Sequence, residues 1–171
     1  LAPRGLTSLM SAATVVVLFF LSRRLYGSAR SGLCAGAVLA TMPLHVRFSH
    51  LAATDIPMTL WVSLAMLAAV RIAQDQQHAD YLWAGLFTGL AGSTKYPGAL
   101  VAVAVIAAAW PRCPIWRNRP LFLSGFIALL VLAATTPYAW LDFDTFWQHV
   151  SAMGYSHLGE RGGQGALLVY Q

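Results

Sequence analysis

Long apolar runs, interrupted at intervals by charged residues, dominate this chain. Six runs contain no Asp, Glu, Lys or Arg, namely 5–22, 31–46, 56–70, 81–94, 96–111 and 120–141. A membrane-spanning helix needs about 20 mostly apolar residues, and polar flanking residues at the interface can complete a shorter run. The pattern therefore predicts an all-α protein, a polytopic transmembrane helical bundle with about six spans.

The stretch 81–110 allows either one long helix or two short ones, because only Lys95 interrupts it. Breaker residues surround this lysine, among them Gly92, Pro97 and Gly98. A proline inside a helix removes a backbone hydrogen bond, so the sequence favours two helices with Lys95 in the turn between them.

The distribution of basic residues supports the six-span topology, because adding or removing one span changes the side of every later loop. Six spans collect seven arginines on one side, which is then the cytoplasm: Arg23, Arg24, Arg30, Arg71, Arg112, Arg117 and Arg119. The other side holds Arg4, Arg47, Lys95, Arg161, Asp55, Asp142, Asp144, Glu160 and four of the five histidines. Candidate chemistry therefore gathers on the non-cytoplasmic face.

Composition agrees with a membrane protein and argues against a nucleic-acid partner. Of 171 residues, 58% are hydrophobic and 10% are charged, whereas soluble domains have roughly 45–50% and about 25%. The net charge is +5, but the basic residues are spread singly between apolar runs instead of lying along one face. Cys34 and Cys113 form no metal-binding or disulfide pattern, so both are interpreted as structural.

The segment 142–164 is predicted to be an extracytoplasmic loop within one transmembrane domain that covers 1–171. Its apolar residues follow the i, i+3, i+4, i+7 spacing of one helical face: Phe143, Phe146, Trp147 and Val150. This spacing with aromatic anchors is typical of a helix lying in the membrane interface.

The densest polar cluster lies between the second and third predicted spans, at 45–57. Two histidines, Arg47, a serine and Asp55 occur within eleven residues there. Ionisable groups near a membrane are costly unless they are paired or hydrated, so the cluster is a candidate functional site. The alternative is that Arg47 and Asp55 only mark the water boundary, with Asp55 as a helix cap.

Lys95 is the second candidate on the same face. An ammonium group at the tip of a helical hairpin, beside Ser93, Thr94 and Tyr96, suits an anionic phosphate. The alternative is a lysine that reaches to the interface and sets the depth of the hairpin.

The order of these features resembles the GT-C class of membrane glycosyltransferases, in the dolichyl-phosphate-mannose protein mannosyltransferase and aminoarabinose transferase superfamily. The matching stretches read MPLHVRFSH at 42–50, ATDIP at 53–57 and AGLFTGLAGSTKYPG at 84–98, followed by a late, glycine-rich loop that contains His157. The resemblance implies transfer of a sugar from a polyprenyl-phosphate donor to a glycan, lipid or protein acceptor on the outer face of a membrane, expected to be a bacterial inner membrane.

The resemblance also implies roles for individual residues. Asp55 is the expected catalytic carboxylate, which activates or orients the acceptor, or holds a divalent metal that binds the phosphate. The donor-binding candidates are Arg47, His50, Lys95, Tyr96 and His157. No cofactor is certain, and a divalent metal is left open.

One feature of the family has no counterpart in this sequence. Family members carry an acidic residue or pair in the first outer loop, commonly as the main catalytic carboxylate. The chain is therefore expected to be an internal piece of a longer protein, with that carboxylate upstream of Leu1 and Asp55 in a supporting role.

Two other classes remain open at this stage. A transporter or lipid flippase would also place charges near helix breaks that face a cavity. A structural or assembly subunit without activity predicts that Asp55 and Lys95 tolerate neutral substitution.

Overall fold

The computed structural model describes residues 2–51, 53–110 and 118–137, and all regular structure within them is helical. The helices are α1 (Ala2–Tyr26), α2 (Ala29–Thr41), α3 (Pro43–Ser49), α4 (Asp55–Asp75), α5 (His78–Thr94), a 3₁₀ helix (Tyr96–Leu100), α6 (Val101–Ala109) and α7 (Arg119–Thr135). All of them belong to one compact unit that ends at Thr135. The all-α prediction is confirmed for this part of the chain.

Two of the described helices have the length and composition of a membrane span. They cover Arg4–Tyr26, with 23 residues, and Asp55–Asp75, with 21 residues. Two further apolar stretches, Tyr96–Ala109 and Arg119–Thr135, are shorter. A polytopic membrane bundle is consistent with these helices, but the number of six spans is not confirmed and stays a prediction.

The second predicted span is not one continuous helix. α2 ends at Thr41 and α3 starts at Pro43, because Met42 between them has an extended backbone with φ −67° and ψ 118°. A residue before proline is driven out of the helical region by contact with the proline ring, whereas proline itself fits the first position of a helix. The interpretation of 31–46 as a single span is therefore corrected to two helices of 13 and 7 residues.

The predicted break at Lys95 is confirmed. Its backbone is extended, with φ −151° and ψ 134°, and it separates α5 from the 3₁₀ helix that leads into α6. The stretch 81–110 thus forms two helical segments that are joined at Lys95.

α4 is the central helix of the described bundle, packing against α1, α5 and α6, while α5 packs against α7. The contact between α5 and α7 depends on the absence of side chains at Gly85 and Gly89. A Cβ atom at Gly89 would lie 2.7 Å from the carbonyl oxygen of Ala128. Small residues four apart allow this close backbone approach, as in membrane helix pairs.

Many large apolar side chains lie on the outside of the bundle. Leu9, Val38, Leu100 and Leu129 are all mostly exposed, although the interior is also apolar, with Ile72 and Val105 in its core. Helices that are apolar on both faces are typical of a lipid environment. The predicted interfacial helix in 142–164 lies outside the described residues.

Candidate functional site

The α4–α5 hairpin brings Asp55 and Lys95 together. Asp55 is the first residue of α4, and Lys95 directly follows the last residue of α5. Because the two helices run in opposite directions, the start of one lies beside the end of the other. Lys95 Nζ donates to Asp55 Oδ1 in an ion pair. The two side chains are 42% and 40% exposed, so a polar substrate can reach both.

Asp55 does not act as the N-cap of α4, which was one alternative for its role. Thr54 occupies the cap position, and its side chain makes no capping hydrogen bond. The Asp55 carboxylate instead faces Lys95, while its backbone carbonyl accepts a hydrogen bond of 2.7 Å from Thr59 Oγ1. A carboxylate in the first turn is also favoured by the partial positive charge of the helix start.

A cleft of about 280 Å³ lies beside this ion pair, between α2, α3 and α4. Its walls are mostly apolar, and its polar groups come from Asp55, His45 and Thr59. The other lining residues are Leu39, Met42, Leu44, Phe48 and Ile56. Met42 lines the cleft at the break between α2 and α3, where α3 turns away from the direction of α2. A molecule with an apolar body and a polar head fits such a lining.

His45 belongs to the candidate cluster at 45–57, but the sequence assigned it no role of its own. It is buried, and its Nε2 lies 2.8 Å from Ser11 Oγ of α1, where either atom can donate depending on the tautomer. One turn away, Ser8 Oγ donates to the carbonyl of Ser49 at 3.0 Å. These contacts hold α3 against α1. The signal in the sequence is the pair of serines three residues apart, which share a helix face.

The other candidates are placed less centrally. Arg47 and His50 are exposed, on α3 and at its C-cap, and neither lines the cleft. Tyr96 follows Lys95 and is 45% exposed. His157 lies outside the described residues, so its predicted role stays a prediction.

Few side chains near Asp55 could act as further ligands of a metal ion. The part of the chain that the structure describes contains no group of three or more His, Cys, Asp or Glu side chains arranged for a metal. A divalent cation at Asp55 would therefore take most of its ligands from substrate phosphate and water, as Mg²⁺ commonly does.

Apolar helices that expose large apolar side chains are typical of a membrane-embedded protein, and in this one an accessible ion pair lies beside a mostly apolar cleft. Residues 2–138 match the family model described as dolichyl-phosphate-mannose-protein mannosyltransferase. This match covers well over half of the chain, so the chain belongs to that family of membrane glycosyltransferases and the resemblance found in the sequence is confirmed. Neither the curated proteins nor the solved structures contain a significant match.

Proposed function

We propose that this chain is part of a glycosyltransferase that moves a sugar from a polyprenyl-phosphate donor to an acceptor on the extracytoplasmic face of a bacterial inner membrane. The observation that carries the proposal is the contact between Asp55 and Lys95 beside an apolar cleft. Family membership supports a lipid-linked sugar donor and an acceptor in a membrane. The described helices add two candidate spans.

The reaction assigns complementary tasks to the two charges. An acceptor hydroxyl oxygen attacks the anomeric carbon of the donor sugar, and the bond from that carbon to the phosphate oxygen breaks with its electron pair left on the phosphate. Asp55 accepts or orients the acceptor proton, and Lys95 stabilises the charge that develops on the leaving phosphate. The hairpin holds both groups at one place, so a donor phosphate at Lys95 and an acceptor hydroxyl at Asp55 lie next to each other when the ion pair opens.

The surroundings of the pair suit a lipid-linked donor. The cleft walls at Leu39, Phe48 and Ile56 are apolar, and apolar walls accommodate the prenyl chain next to the phosphate. Arg47 and His50 are proposed as further donor contacts, since both are exposed on or next to α3, whose buried face contributes His45 to the cleft. Tyr96 and His157 complete the proposed donor-binding set.

The test is Asp55→Asn in the protein, assayed in membrane vesicles with polyprenyl-phosphate mannose as the first donor and other polyprenyl-phosphate sugars after it. Loss of the proton-accepting carboxylate is expected to lower sugar transfer by about tenfold or more. Asp75→Asn is the matched control, because Asp75 is a similarly exposed, ion-paired carboxylate at the other end of α4.

The outcomes distinguish between Asp55 as a residue of the active site and Asp55 as a residue that only marks the water boundary. Activity that falls in Asp55→Asn, stays in Asp75→Asn and partly returns in Asp55→Glu at matched protein levels supports the proposal. Equal activity of the wild type and Asp55→Asn removes Asp55 from the site and favours its interpretation as a marker of the water boundary.

A further inference from the structure

Three arginines surround a second cavity at the far end of α1 and α4. The cavity has a volume of about 530 Å³ and is lined by Phe20, Arg23, Arg24, Gly27, Leu67 and Arg71. Arg71 is 16 positions after Asp55 along α4, which places it about 24 Å away at 1.5 Å per helical residue. This cavity is therefore separate from the cleft beside Asp55.

The positive charge of this cavity is only partly balanced. Arg24 forms an ion pair with Asp75 and donates from Nε to Gln74 Oε1 at 2.9 Å. Arg71 Nε lies 2.7 Å from Asp80 Oδ1. Arg23 forms no ion pair within the residues that the structure describes, so the three guanidinium groups exceed the two carboxylates by one charge.

Two of the three arginines, Arg24 and Arg71, are held in place by neighbouring residues. Asp80, which is 1% exposed, contacts Arg71 in an ion pair. Gln74 Nε2 donates to the backbone carbonyl of Arg24 at 3.1 Å and connects α4 to the end of α1. Arg71 Nε faces Asp80 but makes no hydrogen bond of good geometry among the described residues, and the Arg71 side chain is 43% exposed. Guanidinium groups with free donor edges are well suited to phosphate oxygens.

The position of the cavity matches the level of lipid headgroups. Arg23 and Arg24 lie in the last turn of α1, at the end of the candidate span Arg4–Tyr26. Phe20 and Leu67 lie about one turn nearer the middle of their helices and form the apolar wall. A ligand that carries a phosphate at the arginines and a hydrocarbon chain along Phe20 and Leu67 satisfies both parts of the lining.

We propose that this cavity binds the headgroup of an anionic phospholipid, with the phosphate at Arg23 and Arg71 and the start of an acyl chain against Phe20 and Leu67. The site is independent of the proposed sugar transfer, because it lies at the opposite end of α4. A bound lipid bridges α1 and α4, because its phosphate contacts an arginine of each helix.

The experiment measures lipid binding by native mass spectrometry of the protein purified in a neutral detergent, titrated with phosphatidylglycerol or with phosphatidylcholine. Phosphatidylglycerol is expected to bind about fivefold more tightly, and Arg23→Gln to remove that preference, since a basic residue near an anionic lipid contributes about a fivefold factor. Arg23 is chosen because its replacement leaves both ion pairs intact.

The control is Arg30→Gln, which removes an exposed arginine of α2 that does not line the cavity. Phosphatidylglycerol preference that survives in Arg30→Gln and in Arg23→Lys but not in Arg23→Gln supports the site. Equal binding of the two lipids, or an equal loss in Arg23→Gln and Arg30→Gln, overturns it. Displacement of phosphatidylglycerol by excess inorganic phosphate overturns the lipid assignment in favour of a free phosphate ligand.

Discussion

The two ends of the α4–α5 hairpin each carry an ion pair between the helices with an exposed cation, but the two carboxylates differ in exposure. At one end Asp55 meets Lys95, and both side chains are about two-fifths exposed. At the other end Arg71 meets Asp80, whose side chain is 1% exposed. The same helices thus present one carboxylate to solutes and bury the other.

This difference separates a contact expected to stabilise the fold from one that the proposed function makes reactive. A buried carboxylate that loses its partner keeps its full desolvation penalty, whereas an exposed pair contributes little to stability because water replaces the partner. Asp80 is therefore expected to fix the hairpin, whereas the pair of Asp55 and Lys95 can open at little cost, as the proposed reaction requires. Charge alone does not distinguish these roles, but burial does.

Removing the cation that faces the buried carboxylate tests the comparison most strongly. Arg71→Gln is expected to lower the free energy of unfolding by about 3 kcal/mol, because Asp80 then remains buried without a countercharge. Asp80 Oδ2 already has no hydrogen-bond partner among the described residues, so the carboxylate has no alternative there. Thermal unfolding should be followed in a neutral detergent without anionic lipid, which keeps the arginine-lined cavity from affecting the result. A loss no larger than that of Lys95→Gln would contradict the distinction between the two ends.

Breaking the exposed pair should change function more than stability. Lys95→Gln is expected to lower kcat/KM for a polyprenyl-phosphate sugar by about tenfold, because one charge-assisted contact to the phosphate is lost in the transition state. Its effect on the free energy of unfolding should stay below about 1 kcal/mol. Steady-state kinetics with varied donor concentration measures the first quantity, and Arg4→Gln, an exposed cation of α1 outside the cleft, serves as the control. If the dependence of the transfer rate on donor concentration is unchanged, Lys95 does not contact the donor and only sets the depth of the hairpin in the membrane.

The smallest expected effect concerns the contact that holds α3 beside the exposed pair. Ser11→Ala removes the hydrogen bond to buried His45 and should lower the free energy of unfolding by about 1 kcal/mol. Ser63→Ala provides the comparison, because Ser63 Oγ donates only to the carbonyl of Thr59 within its own helix. Equal melting temperatures for the two variants would show that His45 does not depend on Ser11.

The helices were predictable because charged residues and breakers interrupt the apolar runs at the helix ends. The break at Lys95 followed from Pro97 and its neighbouring glycines, and the structure confirms it. The break at Met42 was missed, because the spans were assigned from the absence of charged residues. Pro43, at which one helix ends and the next begins, is uncharged and does not interrupt such a run. The number of spans depends on more of the chain than the structure describes.

The site was predictable as a set of residues but not as a set of contacts. Asp55 and Lys95 were both assigned to the non-cytoplasmic face, yet they are forty positions apart and their pairing depends on the register of α4 against α5. The burial of His45 and its bond to Ser11 likewise depend on how α1 packs against α3. Such distances between helices are set by packing and cannot be derived from periodicity within one helix.

The presence of ion pairs at both ends of the hairpin has a mechanical consequence. A slide of α4 along α5 by one turn is about 5.4 Å, and it would separate Asp55 from Lys95 and Arg71 from Asp80 at the same time. The register of the two helices is therefore held mainly at the Arg71 end, where Asp80 is buried, and less by the exposed pair of Asp55 and Lys95. In the proposed reaction, room for a substrate is expected to come from side-chain rotation at Lys95 or from a swing of the short helix α3, because translation of α4 along α5 would break the contact to the buried Asp80.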